Sequence, residues 1–437
     1  MNTKSFNPPQ RILMGPGPSD VSTRVLEAMA RPTIGHLDPA FTGMMDEIKQ
    51  LLQYAFQTTN ELTFAVSAPG MAGMECCFAN LVEEGDKVVI CKNGFFGERM
   101  KENVERFGGI PVMVDDDWGK KVDLNKAEEA LKNNPDTKIL AFVHAETSTG
   151  ALSDPESLTK LAHDYDCLSI VDTVTGLAGV PLKVDEWGID AIYSGTQKCL
   201  SASPGLSPIS FSEAAQEKIK NRSSKVKSWF LDLNLIMSYW EGEGGRSYHH
   251  TAPINALYGL HEALLILKEI GIENSWKKHM DNHLILREGL QDLGISYLVD
   301  EDDRLPQLNS IFIPEGVDDL ASRQKLLNDF YEILLKSPYL YEEVYNDLRG
   351  GRQRLNIQTE IKRKYKNYDL DTIFKNHEIF NNLDVKSLTQ IPKETLLYDE
   401  IEKIWHDIDN NDDWSLFNKK IDSINIFKQA NINHGLG

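Results

Sequence analysis

A single lysine, Lys198, follows an apolar run that has the composition of a buried strand, within "YSGTQKCLSASPG" at residues 193–205. Most lysines at strand ends are solvated and contribute only surface charge. In α/β proteins, however, ligands bind at the carboxyl edge of the sheet. A lysine held in a cleft at that edge can lose its proton and act as a nucleophile. Neighbouring motifs must distinguish these two roles.

An aspartate ends the preceding apolar strand pattern. Asp172 stands in "LSIVDTVTG", 26 residues before Lys198 and one strand–helix–strand unit away. The carboxyl ends of neighbouring parallel strands meet at one edge, so we expect both side chains there. A buried carboxylate needs a charged or donating partner, and a protonated pyridine nitrogen is one. The alternative is that Asp172 caps the following turn.

Three further loops carry side chains or amides suited to a flat, phosphorylated ligand. "SAPGMAGMECCFANL" puts Gly70 and Met71 at a predicted helix N-terminus, where free amides bind phosphate, although an ordinary turn has the same pattern. "CKNGFFGERM" supplies Phe96, which can stack on a ring or lie in the core. "HAETSTG" puts Thr147 after a strand, as a ligand contact or a helix cap.

Each of these features is weak evidence, but four of them (the lysine, the aspartate, the helix N-terminus and the aromatic ring) together match one cofactor. Pyridoxal phosphate carries an aldehyde for a lysine, a ring nitrogen for an aspartate, a phosphate for a helix N-terminus and a flat face for an aromatic ring. The combination therefore predicts a pyridoxal phosphate site.

Short apolar runs alternate with helix-length segments along the first half of the chain. This alternation predicts an α/β fold with a mainly parallel sheet and helices on both faces. A helical pattern spans residues 256–293, and "LPQLNSIFIP" is predicted as a strand of a smaller second domain. The predicted strands of the large sheet are "KVVI" (87–90), "KILAFVH" (138–144), "CLSIVD" (167–172), "DAIYSG" (190–195) and "SPISFS" (207–212).

The composition excludes several classes of partner. With 46 basic and 66 acidic residues the 437-residue chain carries a net charge of −20, which disfavours nucleic acid and anionic membranes. No run approaches the ~18 apolar residues of a membrane span, and the N-terminus has no signal-peptide core. The five cysteines lack zinc-site spacing, so we expect no metal and a reducing, cytoplasmic location.

The sequence resembles the class V aminotransferases of fold type I, and within them the alanine–glyoxylate and serine–pyruvate aminotransferases. The resemblance covers roughly residues 10–330. It is carried by "LMGPGPSDVSTRVLEAM", "GMAGMECCFANLVEEGD", "NGFFGER", "HAETSTG", "SYHHTAPINALYGLHEAL" and above all by "VDTVTGLAGVPLKVDEWGIDAIYSGTQKCLSASPGLSPISFS". The resemblance implies a pyridoxal phosphate-dependent transferase with a large domain and a smaller C-terminal α/β domain.

The resemblance also implies roles for residues around the ring. Lys198 corresponds to the lysine that bonds to the cofactor aldehyde, and Asp172 to the partner of the pyridine nitrogen. Phe96 stands where an aromatic side chain stacks on the ring, and Thr147 matches a cofactor-contacting hydroxyl. Some relatives have tryptophan at the position of Phe96, a change that preserves stacking.

A second group of residues corresponds to the phosphate site. Gly70 and Met71 match the family's phosphate turn, and Gln197 matches a phosphate contact. Tyr248 and Thr251 resemble residues that reach the phosphate in the neighbouring subunit. The resemblance therefore implies a homodimer with shared active sites.

The C-terminal part departs from the family. We expect an arm at residues 1–20, a cofactor-binding domain at 21–265, a partial small domain at 266–335 and a helical insertion or extension at 336–437. The family's strand with an arginine for the substrate carboxylate does not follow the small domain's helix. Arg354 is the least implausible substitute, but we expect that it does not serve and that the Michaelis constant for the substrate is markedly raised.

The predicted activity is transamination of alanine or serine with glyoxylate or pyruvate by a ping-pong mechanism. Serine–glyoxylate transaminases and other class V members, including aminoethylphosphonate transaminases and cysteine desulfurases, are close alternatives. The last is disfavoured because no cysteine has a clear persulfide-loop context. A catalytically impaired cofactor-binding interaction protein is the alternative from another class, because the arginine strand is missing.

Overall fold

The fold was analysed in a computed structural model of the chain. The structure describes residues 15–240 and 247–313, together with the single positions 5, 6, 8, 13, 415, 416 and 419. The chain divides into two units, Met1–Phe312 and Ile313–Gly437. The end of the expected small domain, nearly all of the expected extension and Arg354 lie outside the described residues, and the domain boundary near residue 265 stays a prediction.

A seven-stranded sheet forms the centre of the first unit, in the order β1-β9-β8-β7-β4-β2-β3. Strand β9 is antiparallel to both of its neighbours, and the remaining pairs are parallel. All residues of β1 and β9 are buried, which requires cover on both faces of the sheet. The strands, including a separate β5–β6 pair, are β1 Leu62–Val66, β2 Lys87–Lys92, β3 Ile110–Asp115, β4 Thr137–Val143, β5 Ala145–Glu146, β6 Ala151–Leu152, β7 Leu168–Asp172, β8 Ala191–Tyr193 and β9 Ser207–Phe211.

Helices occupy the segments between the strands, as expected for an α/β fold. Capping side chains mark the starts of several of them: Asp38, Asp123, Asp154 and Ser212 each accept a hydrogen bond from a backbone N–H of the first turn. The helices are α1 Thr23–Met29, α2 Pro39–Phe56, α3 Gly70–Leu81, α4 Phe95–Phe107, α5 Leu124–Asn133, α6 Pro155–Asp164, α7 Val184–Trp187, α8 Glu213–Lys220, α9 Leu233–Trp240, α10 Ile254–Ile270 and α11 Ile272–Asp292.

The α/β fold, all five predicted strands of the large sheet and the helical pattern at 256–293 are confirmed, and the strand expected after this pattern is wrong. Helices α10 and α11 cover the helical pattern and are separated at Gly271, whose φ of +87° ends α10 before α11 begins. The stretch "LPQLNSIFIP" forms only an isolated bridge between Tyr297 and Ile311 within the described residues. Pro306 has no N–H to donate, and the Asn309 amide bonds to the Pro306 carbonyl.

The sheet register aligns the carboxyl ends of three neighbouring strands. Val143 at the end of β4 is paired with Asp172 at the end of β7. Asp172 is in turn paired with Tyr193, the last residue of β8. The loops that follow these strands therefore leave the sheet side by side, as the sequence patterns predicted.

Close packing between α3 and the sheet predicts the effect of a single methyl group. A Cβ at Gly73 would lie 2.0 Å from the Ser207 Oγ and 3.1 Å from the Tyr193 Cβ. We expect Gly73→Ala to lower the free energy of unfolding by about 1–3 kcal/mol through overpacking. Gly43→Ala, at an exposed site in α2 with no atom within 4 Å, is the control and should raise it by about 0.5–1 kcal/mol. Denaturant unfolding measures both, and equal effects would contradict this packing.

Candidate active site

The Asp172 carboxyl lies buried at the end of the central strand β7, where it is 2% exposed. Its Oδ1 accepts a hydrogen bond from the Val174 backbone N–H at 2.8 Å, and its Oδ2 accepts one from the Tyr193 hydroxyl at 2.7 Å. Burial nevertheless raises the pKa of Asp172 to about 7, since these two bonds only partly offset the loss of solvation. Such a carboxyl favours a cationic partner, because a neighbouring positive charge stabilises its ionised form.

Lys198 follows β8 in a tight turn, half-buried at the same edge of the sheet. Its Nζ donates a hydrogen bond to the Pro16 carbonyl at 2.5 Å. Burial lowers the pKa of Lys198 below its usual value, although the Asp172 carboxylate acts in the opposite direction. A lysine of this kind reaches the neutral, nucleophilic form more readily than a solvated one.

The predicted phosphate turn packs against the loop that carries Lys198. Helix α3 begins at the buried Gly70, and a Cβ there would lie 3.5 Å from the Ser194 carbonyl oxygen and 3.6 Å from the Gly195 Cα. Met71 in the first turn is 44% exposed. The Gln197 Oε1 is buried and has no hydrogen-bond partner among the described residues. Both the turn and this oxygen lie close to Gly195, since a Cβ at Gly195 would be 2.9 Å from the Gln197 Oε1.

Phe96 and Thr147 reach the site from the loops after β2 and β4. The half-buried Phe96 ring lies in the first turn of α4 and packs against the core. The hydroxyl of Ser148 accepts a hydrogen bond from the backbone N–H of Phe95 and so holds the start of α4. Thr147 shares a 2.5 Å hydrogen bond with Thr175, which lies in the loop after β7. These contacts join three strand-end loops.

Tyr248 and Thr251 are exposed, and a histidine pair between them holds this segment beside the phosphate turn. The His250 Nε2 lies 2.7 Å from the hydroxyl of Ser67, three residues before α3. The Nδ1 atoms of His249 and His250 are 2.7 Å apart, so one of them donates to the other. The segment therefore borders the turn, and the two exposed side chains remain available to a neighbouring molecule.

Two buried polar side chains at the site were not predicted from the sequence. Tyr193 is fully buried, and its hydroxyl binds Asp172 across the β7–β8 register. Glu146 is also fully buried, and its Oε1 accepts bonds from both the backbone N–H and the hydroxyl of Ser148. Burial raises the pKa of Glu146 despite those bonds. The available sequence signal for Glu146 was an acidic residue that follows the apolar strand pattern "KILAFV" by only three positions.

The arrangement fits pyridoxal phosphate on chemical grounds. The Asp172 carboxyl favours a cationic ring nitrogen, and Lys198 can supply a neutral amine to an aldehyde. The first N–H groups of α3 can take a phosphate, whereas the unsatisfied Gln197 Oε1 is an acceptor and can only receive a hydrogen bond from a donor. No group of three or more metal-ligating side chains occurs in the described parts of the chain, where the helices are also too short or too polar to cross a membrane.

Comparison with known proteins gives a consistent family. The sequence profile of the family described as Aminotransferase class-V matches residues 18–336. The chain is 40% identical over 316 residues to the alanine–glyoxylate aminotransferase of Rattus norvegicus, which covers 72% of this chain and 76% of that protein. The corresponding values for the (S)-ureidoglycine–glyoxylate transaminase of Bacillus subtilis are 34% over 341 residues, 74% and 81%. A crystal structure of an alanine–glyoxylate aminotransferase from Nostoc sp. superposes with a TM-score of 0.72 at 45% identity, over 75% of this chain and 86% of that one.

The raised pKa of Asp172 predicts how the stability of the cofactor-free protein depends on pH. The unfolded chain loses this proton near pH 3.8, whereas the folded chain keeps it up to about pH 7. The folded state therefore binds more protons between these values, and this group's contribution to stability falls as pH rises. We expect Asp172→Asn to stabilise the cofactor-free chain relative to the unmodified one by up to about 4 kcal/mol more at pH 7.5 than at pH 3.5. Denaturant unfolding at both pH values measures this difference, and a difference that does not change with pH would contradict it.

Proposed function

The chain belongs to the class V aminotransferases, whose cofactor is pyridoxal phosphate, and on this basis we propose that it transfers the amino group of alanine to glyoxylate. The observation that carries the proposal is the pairing of a buried carboxyl with a lysine of lowered pKa at one edge of the sheet. We assign Lys198 and Asp172 as the catalytic residues.

Lys198 holds the cofactor between reactions and then moves a proton. When bound, pyridoxal phosphate supplies an aldehyde for the amino group and a ring that withdraws electron density from the substrate Cα. When it is not bonded to the cofactor, the Lys198 amine would be the general base that takes the proton from the substrate Cα and the acid that returns it. Its lowered pKa favours the neutral form that this role requires.

Asp172 and Tyr193 hold the opposite end of the ring. We assign the Asp172 carboxylate to the protonated ring nitrogen, where its charge favours the protonated form. The Tyr193 hydroxyl fixes one carboxyl oxygen at 2.7 Å and so orients the other. Phe96 then stacks on the ring, and Thr147 contacts it beside the loop after β7.

The phosphate is assigned to the turn and the loop that pack together. Gly70 and Met71 offer the first backbone N–H groups of α3, and the Gln197 side chain can donate only through its Nε2 amide group. A Cβ at position 70 would lie 3.5 Å from the Ser194 carbonyl oxygen, in ordinary van der Waals contact, so the turn packs directly on the lysine loop. These groups would bind the phosphate through neutral N–H donors, without a formal positive charge.

Glyoxylate is proposed as the acceptor because it is what the named relatives share. Their amino donors differ: one name gives alanine and the other ureidoglycine. Alanine is the proposed donor because the alanine–glyoxylate relatives have the higher identity, with serine as the second candidate. Both names therefore support glyoxylate as the acceptor, whereas only one of them supports alanine as the donor.

A single-turnover experiment tests the activity. We expect the loaded protein to convert alanine to pyruvate in one half-reaction, and glyoxylate to glycine in the other, with a change in cofactor absorbance each time. Lys198→Ala should lower the half-reaction rate by at least about a hundredfold, because the general base is lost. Lys132→Ala, which removes an exposed lysine paired with Glu128, is the control and should leave the rate unchanged. A Lys198→Ala protein that reacts at the control rate would rule out this assignment.

We further propose that the protein is a homodimer in which Tyr248 and Thr251 complete the partner's phosphate site. Tyr248 is 63% exposed, as is Trp229, whose ring stacks on His249 at 4.5 Å. Exposed aromatic side chains beside a binding site favour a protein interface. The hydrogen bond between His250 and Ser67 would hold this segment in place for the partner.

Mixed dimers provide the test of shared sites. Lys198→Ala and Tyr248→Ala subunits, co-expressed with different tags, should form hybrids in which one site has both residues intact. At random assortment about one quarter of all sites then react with alanine at the unmodified rate, because a two-fold interface pairs each site with the other subunit's segment. If Tyr248 served its own subunit, no site would recover. Light scattering provides the accompanying measurement of mass.

A cytoplasmic location is also proposed. All five cysteines are free, and four of them are buried. Thiols kept in this way are typical of a reducing compartment.

A further inference from the structure

The segment formed by residues 16–19, which we name the arm segment, lies directly on Lys198. The Lys198 Nζ donates to the Pro16 carbonyl at 2.5 Å. The hydroxyl of Ser19 donates to the Lys198 carbonyl at 2.7 Å, and the Ser19 backbone N–H donates to the Gln197 carbonyl at 2.9 Å. The arm segment therefore contacts both the side chain and the backbone of the lysine loop.

Gly17 permits this close contact. Its φ of +137° lies in a region that side-chain-bearing residues rarely adopt. A Cβ at this position would lie 2.5 Å from the Lys198 Nζ and 2.8 Å from its Cδ. The backbone thus follows the lysine side chain at a distance that only glycine allows. Gly15, just before the arm segment, has no atom within 4 Å of the corresponding position.

We propose that the Pro16 carbonyl holds the Lys198 amine whenever this amine is not bonded to the cofactor, so that the arm segment is a positioning element of the active site. The inference rests on the proposed function, because only a lysine that is released in each turnover needs such an acceptor. It assigns to the N-terminal arm a role in the reaction that is separate from holding the cofactor.

The chemistry of the carbonyl suits both states of the released amine. A carbonyl oxygen accepts a hydrogen bond from a neutral amine and a stronger one from an ammonium. When Lys198 takes the proton from the substrate Cα, the lone pair on Nζ becomes the new N–H bond and the group becomes an ammonium, while the electron pair of the broken Cα–H bond stays with the substrate carbon, from which the ring would withdraw it. The Pro16 oxygen stabilises this cation in a place where burial disfavours it. The ammonium then stays near the atom to which the proton returns.

A purely structural arm would behave differently from a positioning arm. Structural damage lowers the amount of folded protein and the fraction of sites that hold cofactor. Loss of positioning lowers the reaction rate of each site that does hold cofactor, while the substrate concentration at half-maximal rate stays the same. The rate per bound cofactor is therefore the decisive quantity.

Gly17→Ala is the principal test, because its methyl group would occupy the place of the Lys198 amine. Two rates are measured by stopped-flow absorbance: the bonding of pyridoxal phosphate to Lys198 in cofactor-free protein, and the alanine half-reaction per bound cofactor. Borohydride reduction and peptide mapping identify the bonded lysine. We expect both rates to fall about tenfold, the effect of losing one charge-assisted hydrogen bond, with half-saturating alanine unchanged.

Two more variants complete the experiment. Gly15→Ala is the matched control and should bond cofactor at the unmodified rate. Ser19→Ala removes the hydroxyl bond to the lysine loop without backbone strain, so it decides the matter if Gly17→Ala does not fold; we expect a fall of about threefold.

Unchanged rates in Ser19→Ala and in any folded Gly17→Ala would overturn the role of the arm segment while leaving the proposed function intact. Failure of the unmodified chain to bond pyridoxal phosphate at Lys198 would overturn the proposed function, and the inference with it. The two failures are therefore distinguishable.

Discussion

The burial of one carboxyl group, that of Asp172, is the constraint on which the site depends. Removing a carboxylate from water costs several kcal/mol unless a partner compensates for it. The two hydrogen bonds that Asp172 receives do not bring its pKa back to the usual range. A bound cation would complete the compensation. The buried carboxyl that lowers the stability of the cofactor-free protein above pH 4 would therefore favour the binding of a protonated ring.

The topology of the sheet turns this local feature into a site. Strands β4, β7 and β8 are neighbours and parallel, so the loops that begin after Val143, Asp172 and Tyr193 share one edge. The start of α3 packs against the last of these loops, since a Cβ at Gly70 would already be in van der Waals contact with Ser194 and Gly195. Strand β9 is antiparallel to β8, so its carboxyl end lies at the opposite edge of the sheet. The loop that follows β9 therefore does not cover the edge that carries the site.

The sequence allowed prediction of those features that depend on local pattern. Asp172 and Lys198 were found because each follows an apolar run, and parallel neighbours bring such run ends together. The partners that depend on long-range register were not found. In the sequence, nothing distinguishes Tyr193 from the apolar residues of its strand. Its role follows only from its pairing with Asp172. The contact of Pro16 with Lys198 joins positions that are 182 residues apart, and no local sequence pattern predicts it.

Strands β1 and β3 were missed for a related reason. The run "LTFAV" of β1 is short and precedes a helix, so its apolar residues do not separate a strand from a helical face. β3 contains Pro111, which is tolerated because this strand lies at the edge of the sheet. The opposite error was made for "LPQLNSIFIP", which was predicted as a strand. Its apolar pattern has no long paired neighbour, and within the described residues it forms a single bridge.

The lysine lies in a loop, and not in the strand before it, for a mechanical reason. In a strand, pairing with the neighbouring strand fixes the backbone of a residue, and packing fixes the direction of its side chain. The backbone of Lys198 is held instead by hydrogen bonds to its carbonyl from the Ser201 N–H and the Ser19 hydroxyl, while its side chain is only half-buried. The backbone is therefore a fixed point from which a long, flexible side chain can swing between two partners. The role proposed for Lys198, to bond, release and bond again in every turnover, needs both properties, and the loop after β8 provides them together.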